Sequence, residues 1–505
     1  MEKIKNHKYE LTLFIVDAIG MILELAASRI LSPYFGSSNM VWTCVIAIIL
    51  LSSSIGHYYG GQIADAENKK ENLECILALA SLMIFIIPVI SDGIVSSISM
   101  TIRSVRIGAM LATGILFLIP SILLGLISPI VLKLKLNNLD DAGKTAGKLS
   151  AFSTLGAIIG TISGGFFLIP NFGCMNILFI LAIVIAGLKI LINPKLKDKF
   201  NILCLILIIA SFFSMYVVST INKVSSEKVL SGIVGPKYSE DTEYGRALIY
   251  NVKKDNDIIR VFDVDNGFES ISYIDDRKYT PYNGYIVEYS RVFDTKDNIN
   301  DVLLLGGAGY SFPKGFISTR KSGTIDVVEI DEKITELASK YFFLDDLKKD
   351  FDLDKNNRLN IITDDGRMYL NNCKKKYDLI INDAFSGETP AKTLTTLEAV
   401  SKIKEALNNG GIYTTNILGS LEGKNSRFLM AEANTINKYF KHVYYLPATT
   451  DPKGYTDNKK VTNFVLYASD NELNISGAKK LSFLENEFVF TDDFCPVESM
   501  TFYES

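Results

Sequence analysis

The sequence predicts two folds in one chain: an α-helical transmembrane bundle, then an α/β part that joins a small β-hairpin module to a doubly wound parallel sheet. Three observations carry this reading. Apolar stretches long enough to cross a bilayer occur at 10–31, 41–63, 73–95, 107–133, 149–169, 173–192 and 200–220. Beyond them the apolar runs shorten to strand length and alternate with helical patterns. The run Asp301-Val-Leu-Leu-Leu-Gly-Gly-Ala-Gly309 is followed by Ile325-Asp-Val-Val-Glu-Ile-Asp331, a strand entering a glycine-rich turn and a second strand ending in carboxylates. The boundaries expected are 1–223 for about seven spans (eight with a short extra piece), 224–297 for the hairpin module and 298–505 for a Rossmann-like domain.

Composition narrows the function classes. Hydrophobic residues make up 48% of the 505 residues, and a mean hydropathy of +0.21 is high for a soluble protein. The formal charge is −4 with no basic stripe interleaved with aromatics, so nucleic acid is not an expected partner. Cys44, Cys75, Cys174 and Cys204 lie in apolar stretches, leaving Cys373 and Cys495 in the polar part. No CxxC pair exists and histidines number three, so no zinc site is expected. Lysines precede the first apolar run, but more such runs follow at once. The N-terminus therefore reads as a first membrane helix, not a cleaved signal.

Within the membrane half, Gly156, Gly160 and Gly164 form a small-residue stripe suited to close helix packing. Pro120 and Pro129 predict a kink in the fourth segment. Asp17, Glu24 and Arg29 on the first segment and His57 on the second are costly at membrane depth, so they should face partners or a polar cavity. Lysines cluster at 3–8, 69–70, 133–148 and 189–199. Seven spans put all of these on one side, which charge bias makes cytoplasmic, and the C-terminal part on the other. Supply of an adenosyl ligand argues instead for a cytoplasmic C-terminal domain on a multi-pass cell-membrane protein. A short re-entrant piece at Asp92–Val105 would restore the even count that this needs.

In the polar half, Arg246–Asn251 and Ile258–Val264 alternate with β spacing about the turn-like 253–257 segment, a hairpin. Strand-like runs follow at 301–305, 325–330, 359–363, 377–382 and 411–417, and 442–446 and 463–468 suggest a closing antiparallel pair. Ligands of such sheets bind at the carboxyl ends of the strands. Those ends carry Gly306, Gly307 and Gly309; Glu329; Asp364 and Asp365; and Asp383 with Ser386. A glycine turn lets the backbone pass close to a nucleotide, and a carboxylate 23 residues after Gly306 can hold ribose hydroxyls. One strand-end Asp alone reads as a helix cap. Four such signatures in register read as an adenosyl-ligand site.

These residues bring the C-terminal part to a resemblance. Tyr244-Gly-Arg, Val264-Asp-Asn-Gly, Pro281-Tyr-Asn-Gly-Tyr285, Leu305-Gly-Gly-Ala-Gly309, Val328-Glu-Ile-Asp331, Asp364-Asp-Gly366 and Tyr377-Asp-Leu-Ile-Ile-Asn-Asp383 resemble the polyamine aminopropyltransferases, the spermidine synthase family. The whole chain resembles its membrane-fused bacterial versions. The resemblance implies a methyltransferase-like sheet and an adenosyl sulfonium substrate, S-adenosylmethionine or its decarboxylated form, with no further cofactor. By position, Glu329 would bind the ribose, Asp365 the adenine amino group, and Asp383 would sit by the sulfonium and prepare the nucleophile. Tyr244, Tyr282, Asn283 and Asp364 would line the substrate region.

The departures point elsewhere. Gly309 stands where the family carries an Asp that grips the primary amine of the decarboxylated substrate, and Ser386 where it carries a second Asp. Tyr282-Asn283-Gly284 replaces the family's Tyr-His-Glu. A pocket stripped of carboxylates should hold a diamine poorly. The leading expectation is a membrane enzyme that cleaves the Cγ–S bond and releases 5′-methylthioadenosine by aminopropyl-type transfer to an amine. A lyase or cyclase without an acceptor, a methyltransferase on the shared sheet, and a transporter or sensor that only binds the ligand stand beside it. The expected partners are the small-molecule adenosyl ligand, a polyamine and the lipid bilayer, with a homo-oligomer left open.

Overall fold

The computed structural model describes residues 7–500 except 37–38, 103, 137–140, 196–197, 224–233, 235–237, 255–256, 266, 283, 296–298, 387–388, 449–454, 482–487 and 498–499. The chain divides into two compact units: Met1–Ser226 with Ser239–Arg246, and Glu227–Tyr238 with Ala247–Ser505.

In the first unit, seven helices are long and apolar enough to cross a membrane. They are α1 (Lys8–Phe35), α2 (Asn39–Ala64), α3 (Lys69–Thr101), α4 (Val105–Lys135), α5 (Ala142–Ser163), α6 (Cys174–Ile192) and α7 (Lys199–Lys223). A π-helical turn, Gly164–Leu168, extends α5. The small-residue stripe does what its spacing predicts. A Cβ on Gly156 or Gly160 would lie 2.1 Å from the Phe14 carbonyl oxygen or 2.4 Å from that of Ala18, so α5 seats directly on the backbone of α1. A second close crossing went unread in the sequence: Gly56 and Gly60 of α2 meet Ile122, Gly125 and Leu126 of α4 just as tightly. The expected re-entrant piece at Asp92–Val105 is corrected. Helix α3 runs unbroken to Thr101, carrying Asp92 within it, where Tyr34 hydrogen-bonds to it. A polar side chain with a local partner does not end a helix.

The second unit holds an antiparallel meander of β1 (Arg246–Lys254), β2 (Asp257–Val264) and β3 (Gly267–Tyr273). The predicted hairpin is β1–β2, paired from Ala247–Val264 to Lys254–Asp257. Strand β3 is an addition, paired with β2 across a bulge. Ala247, Ile249 and Phe262 of the meander share an apolar core with Val302, Leu304 and Val327 of the main sheet.

That sheet contains β4 (Asp301–Leu305), β5 (Thr324–Glu329), β6 (Leu359–Thr363), β7 (Tyr377–Asn382), β8 (Leu407–Gly419), β9 (His442–Ala448), β10 (Thr462–Ser469) and β11 (Lys479–Lys480). Its order is β11-β9-β10-β8-β7-β4-β5-β6. Strands β4 to β8 pair in parallel, and β9 and β10 close one side antiparallel, as the sequence predicted. Central strands buried on both faces read as continuous apolar runs, which is why Val302–Leu305 and Leu379–Ile381 stood out. Helices Ser311–Thr319, Glu332–Tyr341, Gly366–Asn372, Leu397–Ala406 and Arg427–Asn437 supply the crossovers. The order reverses at β4, which has β5 on one side and β7 on the other; sheets of this kind bind ligands at such a switch point, which makes the carboxyl ends of β4 and β7 the candidate crevice.

Candidate active site

The crevice is built from the turn after β4. Gly306 has φ +93°, and a Cβ there would lie 2.4 Å from the Asp383 carbonyl oxygen, so only glycine fits. The Asp383 N–H in turn donates to the Leu305 carbonyl at 2.9 Å. The ends of β4 and β7 are thereby locked together, with the Asp383 side chain half-buried beside the glycine turn.

Glu329, 8% exposed at the end of β5, already holds the turn in shape. Its Oε2 accepts from the N–H groups of Gly307 at 2.8 Å and Ala308 at 3.0 Å, and its Oε1 from that of Asp331 at 3.1 Å. Burial raises its carboxyl above the ordinary range, against the pull of those three donors. A carboxylate offers about four acceptor positions. Three are filled, so one on Oε1 is left, where the sequence reading of a ribose clamp needs two.

Asp365 is both a cap and a candidate ligand. Its Oδ1 accepts from the N–H groups of Arg367 and Met368, each at 2.9 Å, as N-cap of the Gly366–Asn372 helix. The cap uses that one oxygen. Asp364 is exposed, and its Oδ1 accepts from the Asp365 N–H at 2.8 Å. Asp383 caps nothing: the next long helix, Leu397–Ala406, is capped by Thr396.

Asp383 is instead held by a residue that no motif singles out. The buried Tyr289 hydroxyl donates to its Oδ1 at 3.0 Å. Burial pushes the Asp383 carboxyl up to about 8, and the tyrosine bond opposes this. Tyr289 sits on the short helix Tyr285–Tyr289, its ring edge-on to Tyr285 and Phe312. The signal was one tyrosine among 24, with no spacing to β7 that pattern could detect.

Among the described residues, the other expected positions have partners of their own. Gly309 is closed in: its N–H donates to Ser270 Oγ at 3.0 Å, and a Cβ would meet Ser270 Cβ at 2.6 Å and Phe342 Cδ1 at 2.7 Å. Tyr282 packs near Tyr273, ring centroids 5.2 Å apart, with the Lys254 ammonium 5.5 Å over its ring. Ser386 lies in a two-residue strand paired with Thr389–Pro390, and Asn283 lies outside the described residues. Tyr244 is 48% exposed on a turn closed by Thr242, in the segment that belongs to the helical unit. Among the described residues no group of three His, Cys, Asp or Glu side chains could hold a metal ion.

Known proteins are similar to part of this chain. Residues 281–472 match the spermine/spermidine synthase domain. The polyamine aminopropyltransferase of Methanocaldococcus jannaschii is 29% identical over 168 residues, 32% of this chain and 54% of its own length. Polyamine aminopropyltransferase 2 of Aquifex aeolicus is 22% identical over 420 residues, 80% of this chain and 78% of its own. This chain spans about half the length of the first relatives it matches. Among solved structures, the spermidine synthase of Thermotoga maritima is 18% identical over 48% of this chain and 73% of its own, with a TM-score of 0.35. The spermine/spermidine synthase domain matched at residues 281–472 and these polyamine aminopropyltransferase relatives support a spermidine synthase-like family for the C-terminal part of the chain.

Proposed function

We propose that the protein is an integral-membrane aminopropyltransferase-like enzyme that binds an adenosyl sulfonium and cleaves its Cγ–S bond. The observation that carries this is Asp383, half-buried at the β4–β7 crevice, beside the Gly306 turn, and oriented by Tyr289. A carboxylate there stabilises a bound sulfonium cation and can take a proton from an attacking amine. In the step itself the amine nitrogen bonds to Cγ, the Cγ–S pair returns to sulfur as neutral 5′-methylthioadenosine, and an ammonium proton passes to Asp383. With its carboxyl pushed up to about 8 by burial, Asp383 is matched to proton transfer at neutral pH. A bound permanent cation would then favour its ionised form.

The closed Gly309 turn supports a second reading, an acceptor-free lyase or cyclase. No carboxylate fits where one would grip the donor's primary amine. The test is to incubate purified protein with S-adenosylmethionine or its decarboxylated form, with and without putrescine, and identify products by mass spectrometry. Release of 5′-methylthioadenosine with an aminopropylated amine supports transfer, and release without one supports the lyase. No release from either donor would defeat both.

A further inference from the structure

The helical unit carries a record of its own orientation. A set of ion pairs, each joining different helices or a helix to the segment before the next, lies at one end of the bundle. Glu10, 1% exposed at the start of α1, pairs with Lys135 at the end of α4 (3.3 Å) and Lys148 at the start of α5 (3.0 Å). Asp65, just past α2, pairs with Lys133 of α4 at 2.7 Å. Lys189 of α6, fully buried, reaches Glu74 of α3 at 3.8 Å and also pairs with Asp198 just before α7. Asn193 adds a bond to Glu74 at 2.7 Å, and Lys189 another to Asn201 at 2.7 Å.

These links put the starts of α1, α3, α5 and α7 at the same end as the finishes of α2, α4 and α6. The unbroken α3 removes the extra half-span that an even count would need. Helix α7 therefore begins at the ion-paired end and delivers the chain to the other.

Charge gives the two ends different signs of fate. By sequence, the residues leading into α1 and the helix ends and short joining segments on the ion-paired side carry thirteen lysines, from Lys3 to Lys199. By sequence, the joining segments on the opposite side, at 36–38, 102–104 and 173, contribute Arg103, with Arg106 just inside α4 and Lys223 at the end of α7. Short basic loops are retained in the cytoplasm as a chain inserts, and this bias sets orientation without reference to where the chain begins. Acidic partners do not cancel it, because the bias follows Lys and Arg and not net charge.

We infer that the lysine-rich end faces the cytoplasm and that the domain after α7, with its Asp383 site, works on the extracytoplasmic side. The inference rests on the membrane-spanning reading above. It reverses the side that ligand supply alone suggested: the adenosyl sulfonium and any amine acceptor would reach the site from outside the cytoplasm.

Full-length chains fused at the C-terminus to alkaline phosphatase, active only after export, or to green fluorescent protein, fluorescent only in the cytoplasm, read the side directly. We expect phosphatase activity and loss of fluorescence. A second reading uses Lys355→Cys in the C-terminal domain and Asp141→Cys before α5, treated with a membrane-impermeant maleimide in intact cells. Lys355→Cys should label above the unsubstituted chain and Asp141→Cys only after lysis. A fluorescent fusion, or labelling of Asp141→Cys but not Lys355→Cys in intact cells, overturns the inference. Alkaline carbonate extraction separates this from the underlying reading. A chain released to the supernatant refutes membrane spanning, whereas one retained in the pellet with a fluorescent C-terminus refutes only the side.

Discussion

At the residue scale, the site depends on one pair. Tyr289→Phe deletes the donor that favours the ionised form of Asp383, so the carboxyl should rise further. Turnover at neutral pH should fall roughly tenfold, with the pH profile moved to the alkaline side. A profile unchanged in position would show that Tyr289 only fills space. In the parent protein, the carboxyl is neutral below about 8, and binding a cation beside it must first ionise it. Affinity for an adenosyl sulfonium should therefore rise with pH up to about 8 and then level off, while affinity for neutral 5′-methylthioadenosine stays flat. Calorimetry across that range checks both, and Asp383→Asn should flatten the first. Glu432 gives a stability counterpart. It is buried, its Oε2 has no hydrogen-bond partner among the described residues, and burial pushes its carboxyl up to about 8. A raised folded value means that the native state holds the proton longer, so this group's stability contribution is complete below about 4.5 and is lost as pH rises to about 8. Glu432→Gln should shrink the fall in thermal midpoint between pH 5 and 9.

At the element scale, glycines decide which helices and turns can touch. Gly160→Ala sets a Cβ 2.4 Å from the Ala18 carbonyl, so α5 must move off α1. We expect a loss of about 1–3 kcal/mol, the usual cost of overpacking, read as a lower thermal midpoint in detergent. Gly187→Ala, with nothing within 4 Å of the new carbon, is the control and should be silent. Equal effects of the two would mean that the crossing is not close-packed. The Gly156–Gly160 spacing was legible because it repeats every four residues on one face. The α2–α4 crossing carries the same four-residue spacing, Gly56 and Gly60, and was equally open to pattern; what only packing supplies is Gly125 of α4, which meets them from the other helix. The same applies to Gly309. The sequence reading placed it in the substrate turn, where it removes a carboxylate, but Ser270 from β3 and Phe342 close over it. An Asp placed there would have to displace both before reaching any ligand.

For the whole molecule, the helical unit and the α/β unit bury separate apolar clusters: in the first, a large one formed by α1 to α6 and a small one of Ala78, Ala186 and Cys204, and in the second, two on the faces of the main sheet. Units with separate cores should unfold in separate transitions. Calorimetry in detergent should show two, and 5′-methylthioadenosine at a hundred times its dissociation constant should raise one of them by about 2.7 kcal/mol. A single transition shifted as a block would show that the units are energetically coupled.

The sequence by itself determined the division into an apolar helical part and an α/β part, the five parallel strands with their antiparallel close, and the register that sets Gly306, Glu329, Asp365 and Asp383 at the strand ends. These features are periodic or local, written in runs of apolar residues and in turn glycines, so pattern alone exposes them. Tertiary structure decided what those strand ends do. It spent three of Glu329's four acceptor positions on the glycine turn and on Asp331, gave one Asp365 oxygen to a helix cap, brought Tyr289 to Asp383, and closed Gly309 under Phe342. Each of those contacts joins residues from different elements, and no spacing along the chain records which side chains will meet when a sheet and its covering helices pack.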